Sequence, residues 1–218
     1  MSDPLVKLER VTFRYGERTV LDQCDLAISP AERIGLVGAN GSGKTTLLGL
    51  IVGLRRPALG RVIVFGKPRE READFRAVRG RVGLLFQDSD DQLFCPTVAE
   101  DVAFGPFNLG KSRSEVEEIV ARTLAELGLE GYAHRVTYRL SGGEKRLVAL
   151  ATVLAMEPEV LLLDEPTAGL DETAAERVTG ILAGLPQAML IVSHDHPFLA
   201  RIAGRTLCLR HGRLQEAS

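Results

Sequence analysis

The sequence predicts an α/β fold: a core with a mostly parallel sheet, an N-terminal antiparallel β subdomain and an inserted α-helical subdomain. Three observations predict it. Short apolar runs suited to buried strands, RIGLVG (33–38), VLLLDE (160–165) and AMLIVSH (188–194), alternate with helical patterns, which argues a parallel core. The opening LVKLERVTFRYG and TVLDQCDLAIS are rich in β-branched and apolar residues with partial alternation, bounded by Gly16 and Pro30, as antiparallel strands are. Residues 88–158 read as mostly helical and separate two groups of core strands.

Taken in order, RIGLVG runs into a glycine-rich turn and a helix through TTLLGLIVGL. RVIVFG (61–66) and RVGLLFQ (81–87) are further strands, with a short charged helix between them at about 70–79. SRSEVEEIVARTLAELGL places Val116, Ile119, Val120, Thr123, Leu124 and Leu127 at helical spacing, and Ser114 with Glu117 offers a capping box to open it. TLCLRHGRL looks like a closing hairpin. The expected organisation is a single domain over 1–218, with its core at about 1–87 and 159–218 and the helical subdomain at about 88–158.

Composition bounds the function. Hydrophobic residues at 45% and charged residues at 26% are ordinary for a soluble globular protein. A net charge of −2 gives no electrostatic reason to expect nucleic acid or anionic lipid as a partner. Cys24, Cys95 and Cys208 match no metal spacing and read as reduced, mostly buried thiols of a cytoplasmic protein. No leader and no run of membrane-spanning length is seen, so membrane association is expected only through a partner.

Gly38-Ala39-Asn40-Gly41-Ser42-Gly43-Lys44-Thr45 fits G-x-x-x-x-G-K-[ST] with a strand before it and a helix after it, the context of a P-loop NTPase core. Its glycines let backbone N–H groups wrap phosphate oxygens, Lys44 bridges the terminal phosphates, and Thr45 offers a hydroxyl to Mg²⁺. Asp164 ends a buried strand and suits the same metal. Glu165 leaves the strand beside it, where a carboxylate can polarise an attacking water. Gln87 and His194 end other strands and are expected to converge on the phosphates, although such residues at strand ends are more often structural.

Ser141-Gly142-Gly143-Glu144, in LSGGEKR, fits the capping box S/T-x-x-E before an apolar helix. Two glycines in a first turn each cost about 1 kcal/mol relative to alanine, which makes sense if something must approach the backbone. Bare N–H groups at a helix start favour an anion. Asp164 lies 120 residues beyond Lys44, too far for a compact P-loop kinase, and LSGGEKR ends the extra segment. With one P-loop per chain, a second phosphate-seeking helix start is useful if it caps the nucleotide of a second copy, across a twofold axis.

These motifs in this order resemble the ATP-binding cassette (ABC) ATPases over essentially the whole chain. The resemblance implies ATP and Mg²⁺ as ligands. It makes Tyr15 an adenine-stacking aromatic and Gly38 to Thr46 the Walker A loop, with Asn40, Gly41, Ser42, Gly43, Lys44, Thr45 and Thr46. Gln87 becomes the Q-loop glutamine and a metal contact beside Thr45 and Asp164. Ser141 to Glu144 become the signature, Glu165 the catalytic glutamate, Asp171 the D-loop aspartate and His194 the switch histidine.

The stretch FQDSDDQLFCPTVAEDVAFGPFNLG is similar to that of energy-coupling-factor importer ATPases, including cobalt and nickel uptake systems. Those pair the ATPases with a transmembrane scaffold protein and a substrate-capture protein. The implied location is the cytoplasmic face of the membrane, with a second ATPase copy or related subunit as dimer partner and a transition-metal cation or vitamin as cargo. The plainer reading of Leu93, Phe94, Phe104 and Phe107 is subdomain core. Soluble ABC ATPases of DNA repair need a coiled-coil insertion and ribosome-associated ones usually two cassettes; the sequence has neither. A P-loop phosphotransferase would leave LSGGEKR unexplained.

Overall fold

The computed structural model describes residues 3–217. Its contacts group the described residues into a core unit, 3–84, 159–165 and 186–217, and a helical unit, 85–158 and 166–185. The sequence alone places 166–185 with the core. The difference arises because helix α6 (Glu172–Gly184) packs on α5 (Gly142–Leu154), and Arg177 donates to the carbonyls of Leu127 and Gly128 at 2.7 and 2.8 Å.

The core unit carries two sheets. The first has the order β2-β1-β4-β5 and is antiparallel, built from β1 (Val6–Tyr15), β2 (Arg18–Ile28), β4 (Leu59–Val64) and the short β5 (Lys67–Pro68). It forms the expected antiparallel subdomain and also recruits RVIVFG. The second sheet has the order β10-β9-β3-β8-β7-β6. Its central strands β3 (Arg33–Val37), β8 (Ala188–Val192), β7 (Val160–Asp164) and β9 (Arg205–Arg210) pair in parallel, while β10 (Arg213–Glu216) closes the hairpin antiparallel to β9. β6 (Val82–Leu85) completes the order beside β7. Every residue of β7 and β8 is buried, which is why those strands read as unbroken apolar runs rather than alternating ones.

Helix α1 (Lys44–Ile51) follows β3, and α2 (Glu72–Arg79) precedes β6. α7 (His196–Ile202) follows β8 and is capped by Asp195, whose carboxylate accepts from the Phe198 N–H at 2.9 Å. One apolar cluster runs from Val6, Leu8 and Ile28 through Ile34, Leu36 and Leu47 to Leu162 and Leu190, so both sheets share a core.

The helical unit is built from α3 (Val98–Asn108), α4 (Arg113–Glu126), α5 and α6. The apolar stripe of α4 is buried as its spacing predicts. Its capping box is not Ser114 with Glu117. Ser112 is the N-cap, because its hydroxyl accepts from the Glu115 N–H and the Glu115 carboxylate reaches back to Ser112 N at 2.8 Å. Both pairs fit the same S-x-x-E pattern, and the helix starts at the earlier one. Of the three thiols only Cys24 is buried; Cys95 and Cys208 are half-buried.

Candidate nucleotide site

Parallel pairing of β3, β8 and β7 brings their carboxyl ends to one edge of the sheet, where α/β folds bind ligands. From that edge leave the glycine loop after β3, the acidic pair after β7 and His194 after β8. Convergence therefore follows from topology before any side chain is considered.

The loop is shaped for close approach. Gly38, Gly41 and Gly43 have φ of 151°, 73° and 110°. A Cβ on Gly43 would lie 2.7 Å from Val20 Cγ1, and one on Gly38 would lie 2.6 Å from the Leu209 carbonyl oxygen. Helix α1 begins at Gly43 with no side-chain cap, so its first N–H groups are left for an anion. The Ser42 hydroxyl oxygen is buried without a hydrogen-bond partner, the state expected of a group made to meet a ligand oxygen. These features fit the phosphates of a nucleotide.

Lys44 is buried along its stem. Its ammonium donates to the Gly38 and Ala39 carbonyls at 2.7 and 3.3 Å. Burial pushes its pKa down, while the nearby Glu165 and Asp164 carboxylates pull it up. The Thr45 hydroxyl donates to Asp164 Oδ2 at 2.7 Å. Hydroxyl and carboxylate oxygens joined at a strand end are hard donors that suit Mg²⁺, an ion held by one or two protein oxygens plus phosphate and water. Among the described residues no cluster of three or more His, Cys, Asp or Glu side chains offers a cage for a softer metal.

Glu165 has a φ of 48°, in the left-handed region that non-glycine residues avoid at a cost of about 1–3 kcal/mol. That turn swings it out of the line of β7. Its carboxylate accepts from the His194 N–H at 3.3 Å and lies 3.4 Å from His194 Nε2. The same ring nitrogen is 3.3 Å from Lys44 Nζ and 3.1 Å from Asn40 Oδ1. His194 thus joins the loop, its lysine and the acid in one polar cluster. Tyr15 is half exposed, with its hydroxyl 3.5 Å from Thr46 Oγ1 and accepting from Arg55 Nε at 3.3 Å. Thr46, and then Arg55, draws the phenol pKa down.

The remaining candidates belong to the helical unit. Ser141 is the N-cap of α5, and its pairing with Glu144 is the capping box read from sequence. The Glu144 carboxylate also accepts from the Tyr132 hydroxyl at 2.7 Å and from Arg135 at 3.0 Å. Its pKa is lowered, first by the Ser141 N–H and then by Tyr132. The two glycines divide. A Cβ on Gly143 would meet Ala174 Cβ at 2.9 Å, so packing on α6 requires it; nothing in the chain lies within 4 Å of a Cβ on Gly142. Asp171 is the N-cap of α6, accepting from the Ala174 N–H at 2.8 Å. Gln87 is exposed just past the end of β6.

Sequence reasoning missed Arg146 and Asp101. Both are almost wholly buried charged residues, 3% and 2% exposed, inside the helical unit. A basic residue opening the buried run of α5 was the available signal for Arg146; nothing local distinguished Asp101.

The family profile described as ABC transporter matches residues 21–168. The energy-coupling factor transporter ATP-binding protein EcfA of Methanothermobacter thermautotrophicus is 42% identical, over 96% of this chain and 69% of its own length. The nickel import ATP-binding protein NikO of Rhodobacter capsulatus is 44% identical, over 98% and 89%. Among solved structures, cbiO1 from Clostridium perfringens, described as part of the ABC transporter complex cbiONQ, aligns with a TM-score of 0.88 at 32% identity, covering 98% of this chain and 88% of that one. A dimeric post-hydrolysis state of an ATP-binding cassette bound to ADP and Pi aligns at 0.86 with 28% identity, over 97% of both chains. With a profile matched across most of its length and relatives of this identity, the chain belongs to the ABC transporter family of ATP-binding proteins and is an ATPase.

Proposed function

We propose that this ATPase powers an importer of the energy-coupling-factor type, and that two copies, or one copy and a related subunit, sandwich ATP between the Walker A loop of one and Ser141-Gly142-Gly143-Glu144 of the other. The observation that carries this reading is the polar cluster of Lys44, Thr45, Asp164, Glu165 and His194 at one sheet edge. The helical unit adds a capped helix start whose Gly142 has open space where no part of its own chain approaches. The relative named for nickel import supports a transition-metal cation as cargo, with a vitamin as the other cargo that the energy-coupling-factor reading allows.

In this reading the loop N–H groups and Lys44 hold the phosphates and Tyr15 stacks on adenine. Thr45, Asp164 and Gln87 would hold Mg²⁺, which neutralises phosphate charge when bound. Glu165 takes the proton of the attacking water, and His194 orients that carboxylate through its N–H and ring nitrogen. Asp171 stands at the copy-to-copy contact. Among the described residues no helix is long and apolar enough to cross a membrane. A place at the cytoplasmic face therefore rests on a transmembrane scaffold and a substrate-capture protein.

The surface for those partners is the segment from Gln87 to Asn108. Phe94, Phe104 and Phe107 are 65%, 48% and 51% exposed, not the subdomain core that the plainer reading gave them. Phe94 and Phe104 meet edge to face, with centroids 4.8 Å apart. Phe104 and Phe107 line a groove between α3 and α4 of about 1130 Å³. Asp88, Asp90 and Asp91 are all exposed; Asp90 also accepts from Lys145 Nζ at 2.6 Å, so Asp91 is the one to test.

The test of the chemistry is Glu165→Gln, which keeps the shape and removes the base. MgATP binding survives while turnover falls about 10²–10⁴-fold. Wild-type turnover would remove Glu165 from its role. The test of the coupling surface is Asp91→Lys with Phe94→Ala. ATP binding holds, while transport and co-purification with the scaffold fall; unchanged transport places the surface elsewhere.

A further inference from the structure

The signature helix and the segment that begins at Gln87 are fastened together in a way that capping and packing do not require. Arg146 lies one turn into α5, five residues after the Ser141 cap, and is 3% exposed. Its guanidinium donates to the Phe86 carbonyl at 2.6 Å and to the Gln87 carbonyl at 2.5 Å. These two carbonyls belong to the peptide planes on either side of the Gln87 Cα. A planar fork that fixes both planes fixes the direction in which the Gln87 side chain leaves the backbone.

Four further hydrogen bonds continue the fastening, three of them along one face of α5. Lys145 Nζ donates to Asp90 Oδ1 at 2.6 Å. Gln92 donates from Nε2 to the Ala149 carbonyl at 2.9 Å and to the Thr152 hydroxyl at 2.8 Å. The Gln92 Oε1 accepts from the Phe86 N–H at 3.2 Å. Arg146, Ala149 and Thr152 are spaced by three residues, so a single face of α5 splints residues 86–92. A buried guanidinium suffers desolvation, which the two carbonyl hydrogen bonds help to offset.

We propose that Arg146 is a positioning residue that carries a displacement of the Ser141 cap to Gln87 of the same chain, with Gln92 as its brace. The inference rests on the composite-site reading above. In a dimer of that kind, Ser141 meets the nucleotide cradled by the partner copy, whereas Gln87 serves the nucleotide cradled by its own. Arg146 then lies on the route between the two nucleotides, and filling one site sets Gln87 at the other. The physical requirement for coupling is a differential contact at each end joined by an element that moves as a unit. The splinted helix supplies that element.

The experiment compares the full-length wild type with Arg146→Lys, which keeps the charge but not the fork, and with Gln92→Leu, a milder change at a half-buried position. MgATP binding to the monomer stays within about twofold of wild type, because neither residue belongs to the core unit that carries the glycine loop. Hydrolysis loses cooperativity, the Hill coefficient falling from about 2 towards 1, the former being the limit for two sites. The kcat drops up to about 10²-fold with little change in KM, as misplacement of a catalytic contact gives. A merely structural role would lower the melting temperature and leave the Hill coefficient of the folded protein intact. That result, or wild-type kinetics in both variants, overturns the proposal. Failure of the underlying reading looks different: a wild-type Hill coefficient of 1 together with no effect of Ser141→Arg on ATP-driven dimerisation refutes the composite site, and this inference with it.

Discussion

Asp101 is the residue whose loss the helical unit should feel most. It is 2% exposed on α3, and Oδ1 accepts from the backbone N–H of Phe94 at 3.0 Å and of Cys95 at 2.9 Å. Its other oxygen is 3.1 Å from the Thr137 hydroxyl, which also lies 3.1 Å from the Cys95 carbonyl. One carboxylate therefore ties the chain at 94–95 to α3 and to the turn at 137. Asp101→Ala removes the acceptor from two N–H groups, each loss costing about 1–3 kcal/mol where water cannot enter, and leaves the Thr137 hydroxyl only the Cys95 carbonyl. Because the strand of contacts is partly solvated at Phe94, the sum expected is about 3–5 kcal/mol, a large part of a stability of about 5–15 kcal/mol. Asp101→Asn keeps an acceptor for the two N–H groups and costs about 1–2 kcal/mol, the charge-assisted part of the bonds. Urea unfolding of the purified chain, followed by circular dichroism, measures both. A loss below about 0.5 kcal/mol for Asp101→Ala, the size of a neutral surface change, would refute the reasoning.

The glycines of the signature should separate. Gly143→Ala, facing Ala174 Cβ at 2.9 Å, should lose about 1–3 kcal/mol in unfolding experiments, the range for forced overpacking. Gly142→Ala has room in its own chain and should keep or slightly raise stability while weakening ATP-driven dimerisation; equal stability losses at both positions would contradict this. The thiols give a pH prediction. Burial, and at Cys95 also the Asp101 carboxylate, pushes the pKa of Cys24 and Cys95 up to about 11, so both stay protonated and slow to alkylate at pH 8. Alkylation at Cys95 should quicken roughly tenfold per pH unit towards pH 11, and a rate already at its plateau at pH 8 would disprove the shift.

The core was legible because its signals are local. RIGLVG, VLLLDE and AMLIVSH become β3, β7 and β8 because strands buried on both faces have no alternation to confuse. Their parallel order then carries Lys44, Asp164, Glu165 and His194 to one edge. The capping box at Ser141 was equally plain, since cap and glutamate lie within four residues. What escaped depends on contacts between distant segments. Arg146 reaches across 60 residues to Phe86, and Asp101 across 36 to Thr137, distances at which periodicity carries no information. α6 reads as a core helix until Arg177 is seen holding the carbonyls at 127 and 128. The choice of Ser112 over Ser114 turned on a two-residue shift between overlapping boxes, which only the backbone decides. Phe94, Phe104 and Phe107 read from sequence either as a partner-facing groove or as subdomain core, and their exposure, visible only once α3 is in place, decides against core.

The most direct test of the central claim is the association state of the Glu165→Gln protein with and without MgATP, measured by light scattering. The composite site requires two nucleotides buried between two copies, each held by Lys44 of one and by the Ser141 cap of the other. Glu165→Gln, which binds but does not hydrolyse, should shift from monomer to dimer on adding MgATP and return when the nucleotide is removed. Adding Ser141→Arg to that variant should abolish the shift and leave nucleotide affinity unchanged, since Ser141 is not part of the loop that follows β3. Loss of nucleotide binding by the monomer on Ser141→Arg would contradict the account, because the signature would then act on the nucleotide of its own chain.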